Sequence, residues 1–71
     1  MIEKYDEEIR KRVIDVLSNE PVASIQEVAL KAKTMRITAK KHLERLVREG
    51  LAIELRKGPA RLFMLKERER G

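Results

Sequence analysis

The chain has 71 residues, 17 Lys or Arg against 12 Asp or Glu, a formal charge of +5, and 42% hydrophobic residues, with one Tyr, one Phe and neither Trp nor Cys. A chain this short buries only roughly 60% of its unfolded surface, which suffices for one core but not for a substrate cavity and a catalytic apparatus beside it. Enzymatic activity is therefore not expected. Without cysteine there is no disulfide framework and no thiolate metal site, and the lone His42 cannot hold zinc, so neither a metal nor another cofactor is expected.

The N-terminus is charged from its third residue and no apolar run approaches the roughly 18 residues of a membrane span, so a cytoplasmic protein is expected. Charged residues make up 41% of the chain while Asn19 and Gln26 are its only side-chain amides, a bias seen in proteins from hot environments. Residues 1–30 hold 4 basic and 7 acidic side chains, residues 31–71 hold 13 basic and 5 acidic ones. The second half is thus the one suited to a polyanion.

From about Glu3 to Ser18, the spacing of Ile9, Val13, Val16 and Leu17 predicts a helix with one apolar face. Asn19-Glu20-Pro21 ends it, because proline cannot continue a helix and turns Glu20 away from helical geometry. Pro21-Val-Ala-Ser24 is suited to a short edge strand. Ser24-Ile-Gln-Glu27 has the form of a capping box, so a second, short helix is predicted over Ile25–Ala32 with Ile25, Val28, Ala29 and Ala32 on its buried side.

A third helix is predicted from Thr34 or Met35 to Glu49, with Met35, Ala39, Leu43, Leu46 and Val47 inward and Gly50 as its stop. His42, near the edge of that stripe, reads as a packing residue. Ile37, Thr38, Lys41, Arg45 and Arg48 point away from the stripe, and Lys40 and Glu44 lie on one flank. Beyond Gly50, alternation in Leu51–Lys57 and Arg61–Lys66 predicts a β-hairpin around Gly58-Pro59-Ala60. Pairing Leu55 with Phe63 and Ile53 with Leu65 would turn Leu51, Ile53, Leu55, Phe63 and Leu65 inward and Glu54, Arg56, Leu62 and Met64 outward. Residues 1–66 are expected to form one domain, and the charged tail 67–71 is expected to fray.

The order helix, short helix, turn, helix, hairpin gives a mainly α fold with a small hairpin, and the sequence resembles the winged helix-turn-helix superfamily of small bacterial and archaeal transcription regulators. The resemblance rests on Ile25-Gln-Glu-Val-Ala-Leu-Lys-Ala-Lys33, on Thr38-Ala-Lys-Lys-His-Leu-Glu-Arg-Leu-Val-Arg-Glu-Gly-Leu51 and on Arg61-Leu-Phe-Met-Leu65, and spans about residues 8–66. Two features depart from the superfamily pattern: Lys33-Thr34-Met35 replaces the usual Gly-Leu-Ser type of turn, and the wing is short.

The resemblance implies double-stranded DNA as partner, with the third helix in the major groove and a nucleoid-associated location. Arg36, Ile37, Thr38 and Lys41 are then the candidates for base edges. Lys31, Lys33, Lys40, Arg45, Arg48, Arg56, Lys57 and Arg61 are the candidates for phosphates, together with the start of the second helix. Ile2, Tyr5, Ile14, Leu62 and Met64 form a candidate homodimer patch. No membrane or small-molecule partner is expected. Three alternatives stand beside sequence-specific regulation: an architectural or replication-associated binder with little sequence preference, a protein-interaction adaptor, and a basic face that only solubilises and pairs with Glu44 and Glu49.

Overall fold

The computed structural model describes the backbone of residues 2–66 and the side chains of residues 6–66; the predicted tail lies outside the described residues. Helix α1 runs Ile2–Asn19, strand β1 Ala23–Ser24, helix α2 Ile25–Lys31, helix α3 Arg36–Arg48, and strands β2 and β3 Ala52–Lys57 and Ala60–Leu65. The three strands form an antiparallel sheet in the order β1-β3-β2, so the two-residue strand before α2 borders the hairpin on its far side. This is the winged helix-turn-helix fold, three helices closed by a sheet whose hairpin is the wing.

The local signals explain the helix boundaries. Ser24 Oγ accepts from the Glu27 amide at 3.1 Å and the Ser24 amide donates to Glu27 Oε1 at 3.2 Å, so the capping box forms in both directions. After α3, Gly50 takes a φ of +80°, its amide donates to Val47, and the Leu51 amide donates to Leu46. That is a Schellman stop with glycine at the left-handed position. After α2 the same pair of bonds recurs, Lys33 to Leu30 and Thr34 to Ala29, but the left-handed residue is Lys33, at φ +56°. The helix-turn-helix corner therefore closes without the superfamily's glycine, at a steric cost that a Cβ imposes there. Helix α3 begins at Arg36, with Met35 as an N-cap that offers no side-chain hydrogen bond.

The core joins all the elements. Ile9, Val13, Val16 and Leu17 of α1, Val28 and Ala29 of α2, and Ala39, Leu43 and Leu46 of α3 form one buried cluster with Phe63, the only phenylalanine of the chain, and with Ala23, Ala32 and Ala52. Met35, expected in this stripe, is instead 71% exposed. It stands before the first helical turn, and its extended backbone breaks the periodicity from which its burial was inferred.

The hairpin register differs from the expected one by a single residue. Glu54 lies opposite Phe63, Ile53 opposite Met64 and Leu55 opposite Leu62, and only Gly58-Pro59 remain as a loop between Lys57 and Ala60. Gly58 at φ +60° followed by a proline is the pattern of a type II′ turn, which matches the twist of the strands with two residues where the sequence suggested three. Because side chains alternate with period two, the shift reverses the whole of β2. Ala52 and Glu54 share the inner face with Phe63 and Leu65, whereas Ile53 and Leu55, expected inward, point out beside Leu62 and Met64. Leu51, also expected inward, is exposed.

Candidate nucleic-acid interface

Helix α3 presents its basic residues on the side opposite Ala39, Leu43 and Leu46, as its amphipathic spacing requires. The cations on it fall into two groups. Arg36, Lys40, Lys41 and Arg48 have no carboxylate partner among the described residues, and their positions run the length of the solvent face. Arg45 is tied inward: its guanidinium lies 3.4 Å from Glu49 one turn on and 3.8 Å from Asp6 of α1. Glu49 is held in turn by Arg10 at 2.6 Å, and this hydrogen bond, with further attraction from Arg10 and Arg45, lowers the Glu49 pKa below the usual carboxylate range.

The same division runs through the rest of the fold. Lys33 at the corner and Lys57 at the wing tip have no carboxylate partner among the described residues, whereas Lys31 bonds Glu20, which raises its pKa. Arg61 is the most constrained cation. Its Nε and Nη2 donate to Glu54 at 2.6 and 3.1 Å, Nη2 also donates to Glu44 at 3.2 Å, and the guanidinium carbon lies 5.7 Å from the centre of the Phe63 ring. The hydrogen bond to Glu54 foremost, and that to Glu44, raise the Arg61 pKa; the reciprocal bond lowers that of Glu54. Arg56, 3.4 Å from the same carboxylate, is paired but largely exposed.

Of the base-edge candidates, Ile37 is 70% exposed, Arg36 and Lys41 are exposed and Thr38 is half-buried. Two open grooves flank the helix. Thr38, Lys41, His42, Arg45 and Arg48 line the one towards α1 together with the carboxylates of Asp6 and Glu44, and Arg36, Ile37 and Lys40 line the one towards the wing together with Ile25 and Arg61. The start of α2, a candidate phosphate site in the sequence, already carries the Glu27 carboxylate of its own capping box, which disfavours a second anion. His42 packs at 4% exposure, with Nε2 3.0 Å from Asp6 Oδ1 and Nδ1 without a hydrogen-bond partner among the described residues. It anchors the start of α1 to the middle of α3.

Two residues of this surface were not singled out in the sequence. Glu44 reads there as a flank residue or surface partner, and its attachment to the wing through Arg61 depends on a contact 17 positions away that no local pattern encodes. Met35, read as core, stands exposed at the leading end of α3. The outer face of the sheet gathers Ile53, Leu55, Leu62 and Met64, none of which belongs to the core cluster. Of the residues expected to join such a patch, Ile14 packs against the core, and the side chains of Ile2 and Tyr5 lie outside the described residues. Among the described residues no helix is long and apolar enough to cross a membrane, and no group of three or more His, Asp or Glu side chains is placed to hold a metal ion.

Fold and surface together define a winged helix-turn-helix domain with a basic third helix. The chain is similar to the Zalpha domain of PKZ from Carassius auratus, solved in complex with Z-DNA, at a TM-score of 0.76 and 18% identity over 86% of this chain and 97% of that one. It is also similar to a MarR family transcriptional regulator from Silicibacter pomeroyi DSS (TM-score 0.72, 22% identity) and to NadR in complex with 4-hydroxyphenylacetate (TM-score 0.70, 25% identity), each over 83% of this chain. It spans 40% and 45% of the length of those two chains, less than half of each. No protein-family model and no curated protein matches the sequence.

Proposed function

We propose that this protein binds double-stranded DNA sequence-specifically and regulates transcription, with α3 in the major groove and the β2–β3 hairpin as a wing on the backbone. The observation that carries the reading is the set of four cations without carboxylate partners among the described residues, Arg36, Lys40, Lys41 and Arg48, on the solvent face of α3. Arg45, Arg56 and Arg61, by contrast, are held by the protein's own carboxylates. The DNA-bound Zalpha domain and the MarR family regulator, alike in fold, support the reading.

In this reading Arg36 and Lys41 donate to guanine O6 and N7, and Ile37 and Thr38 meet thymine methyl groups. Lys33, Lys40, Arg48 and Lys57 neutralise phosphates, and Arg56 reaches the backbone beside the wing tip. Lys31 and Arg45 follow, since each must first give up an intramolecular partner, whereas Arg61, a phosphate candidate in the sequence, stays with Glu54 and Glu44. The outer sheet face of Ile53, Leu55, Leu62 and Met64 joins two copies, which sets two recognition helices about one turn of DNA apart on a palindromic site. The protein works at the nucleoid, not as an enzyme.

The test is fluorescence anisotropy of a random duplex pool against protein over a salt titration, with bound sequences recovered and read. A fall of affinity with log salt of slope about −4 to −5, one released counterion for nearly every free cation, with an enriched sequence, supports the regulator. The same slope without enrichment leaves an architectural binder, and absence of binding at low salt leaves an adaptor.

A further inference from the structure

We infer that Glu44 reads a base: its carboxylate, steadied by Arg61, accepts a hydrogen bond from the N4 amino group of a cytosine in the major groove. The inference rests on the duplex binding by α3 proposed above. Glu44 lies on the wing side of the solvent face, one turn after Lys40 and Lys41 and one turn before Arg48. The other carboxylate of this stretch, Glu49, is taken up by Arg10 and Arg45 at the far end of the helix, so Glu44 is the negative charge set among the unpaired cations.

Its geometry is prepared for one further bond. Arg61 Nη2 donates to Oε2 of Glu44, and Arg61 is itself fixed by two bonds to Glu54. Oε1 of Glu44 has no hydrogen-bond partner among the described residues, and the side chain is 35% exposed. Near phosphates such an acceptor is repelled, and it faces repulsion again from guanine O6 and N7 and from thymine O4. Adenine pairs its N6 donor with the N7 acceptor beside it, whereas cytosine presents N4–H alone. The charge that weakens binding to DNA in general thus favours cytosine at one position of the contacted strand, a charge-assisted bond of the stronger kind.

The experiment runs the duplex selection with wild-type protein and with Glu44→Gln, which keeps the side chain's shape and an acceptor for Arg61. The selected site is then remade with N4-methylcytosine at each cytosine in turn. That base keeps its Watson–Crick pair and replaces the groove-facing hydrogen with a methyl group. Expected are a cytosine column in the wild-type selection that disappears in the Glu44→Gln selection, and about tenfold weaker wild-type binding when that one cytosine carries the methyl group. If Glu44→Gln fails to fold, the methylated duplexes decide the matter with wild-type protein alone. An unchanged cytosine column, or methylation without effect at every cytosine, overturns the assignment and leaves Glu44 as a support for Arg61 within a DNA-binding protein. Absence of duplex binding by wild-type protein overturns the DNA-binding reading and the assignment with it.

Discussion

Glu54 stands directly across the hairpin from Phe63, so a carboxylate and the central ring of the core leave the sheet on the same side. Arg61 makes this tenable, bonding the carboxylate and lying over the ring. Phe63 meanwhile lies in the core cluster with side chains of all three helices, at no exposure. Phe63→Ala is expected to cost about 3–5 kcal/mol, comparable with the entire stability of a small domain. Urea denaturation followed by circular dichroism should find the variant largely unfolded at room temperature.

The ion pairs that join the elements predict an acid limb. The Arg61 bond to Glu54 and the Arg10 bond to Glu49 lower both pKa values, so each carboxylate stabilises the fold above its unfolded pKa and loses that contribution as pH falls through its depressed folded pKa. Melting temperature should hold near neutrality and decline below roughly pH 4. Glu54→Gln and Glu49→Gln should melt lower than wild type at pH 7 and converge on it in acid. Parallel curves from pH 7 to pH 3 would remove both pairs from the account.

Lys33 occupies a left-handed conformation that glycine adopts freely. Lys33→Gly should therefore leave stability equal or raise it by up to about 1 kcal/mol, relief of the Cβ clash exceeding the added entropy of the unfolded chain. It should also weaken binding to every duplex and reduce the salt slope by about 1. A thermal melt and a salt titration on the same variant separate the two effects.

The free and tied cations should differ in the binding assay. Arg48→Ala is expected to weaken all sequences several-fold, Arg45→Ala much less, because Arg45 is already engaged by Glu49 and Asp6. Lys41→Ala should relax sequence preference, while Arg56→Ala or Lys57→Ala should lower affinity uniformly and reduce the salt slope by about 1. Equal effects of all these changes on every duplex would remove the division between base and phosphate contacts.

The outer sheet face predicts an oligomeric state. Leu55 is 40% exposed and opposite Leu62, so Leu55→Lys should leave the core untouched while placing a charge in the proposed interface. Light scattering on a sizing column should find wild type as a dimer and the variant as a monomer with an unchanged melting temperature. A monomeric wild type would end the dimer proposal.

The parts of this fold that neighbouring residues decide were legible in the sequence. Ser24 and Glu27 announced α2, Pro21 and Gly50 punctuated the chain, and the periodicities of Ile9–Leu17 and Ala39–Val47 placed two buried faces because a helix repeats every 3.6 residues whatever packs against it. The basic outer face of α3 followed from the same wheel. Only the tertiary structure decided the hairpin register: the alternation of Leu51, Ile53 and Leu55 with Ala52 and Glu54 favours those three inward, yet the fold buries Ala52 and turns Ile53 and Leu55 out. The two-residue turn at Gly58-Pro59 goes with the register that buries Ala52. It also decided which cations are available. Arg61 looks like Arg48 in the sequence, and only the approach of Glu44 and Glu54 in the fold occupies the first and leaves the second open, since Coulomb attraction depends on distance in space and not along the chain; Arg45 has Glu49 one turn on, a pair the sequence shows, and gains Asp6 only through the fold.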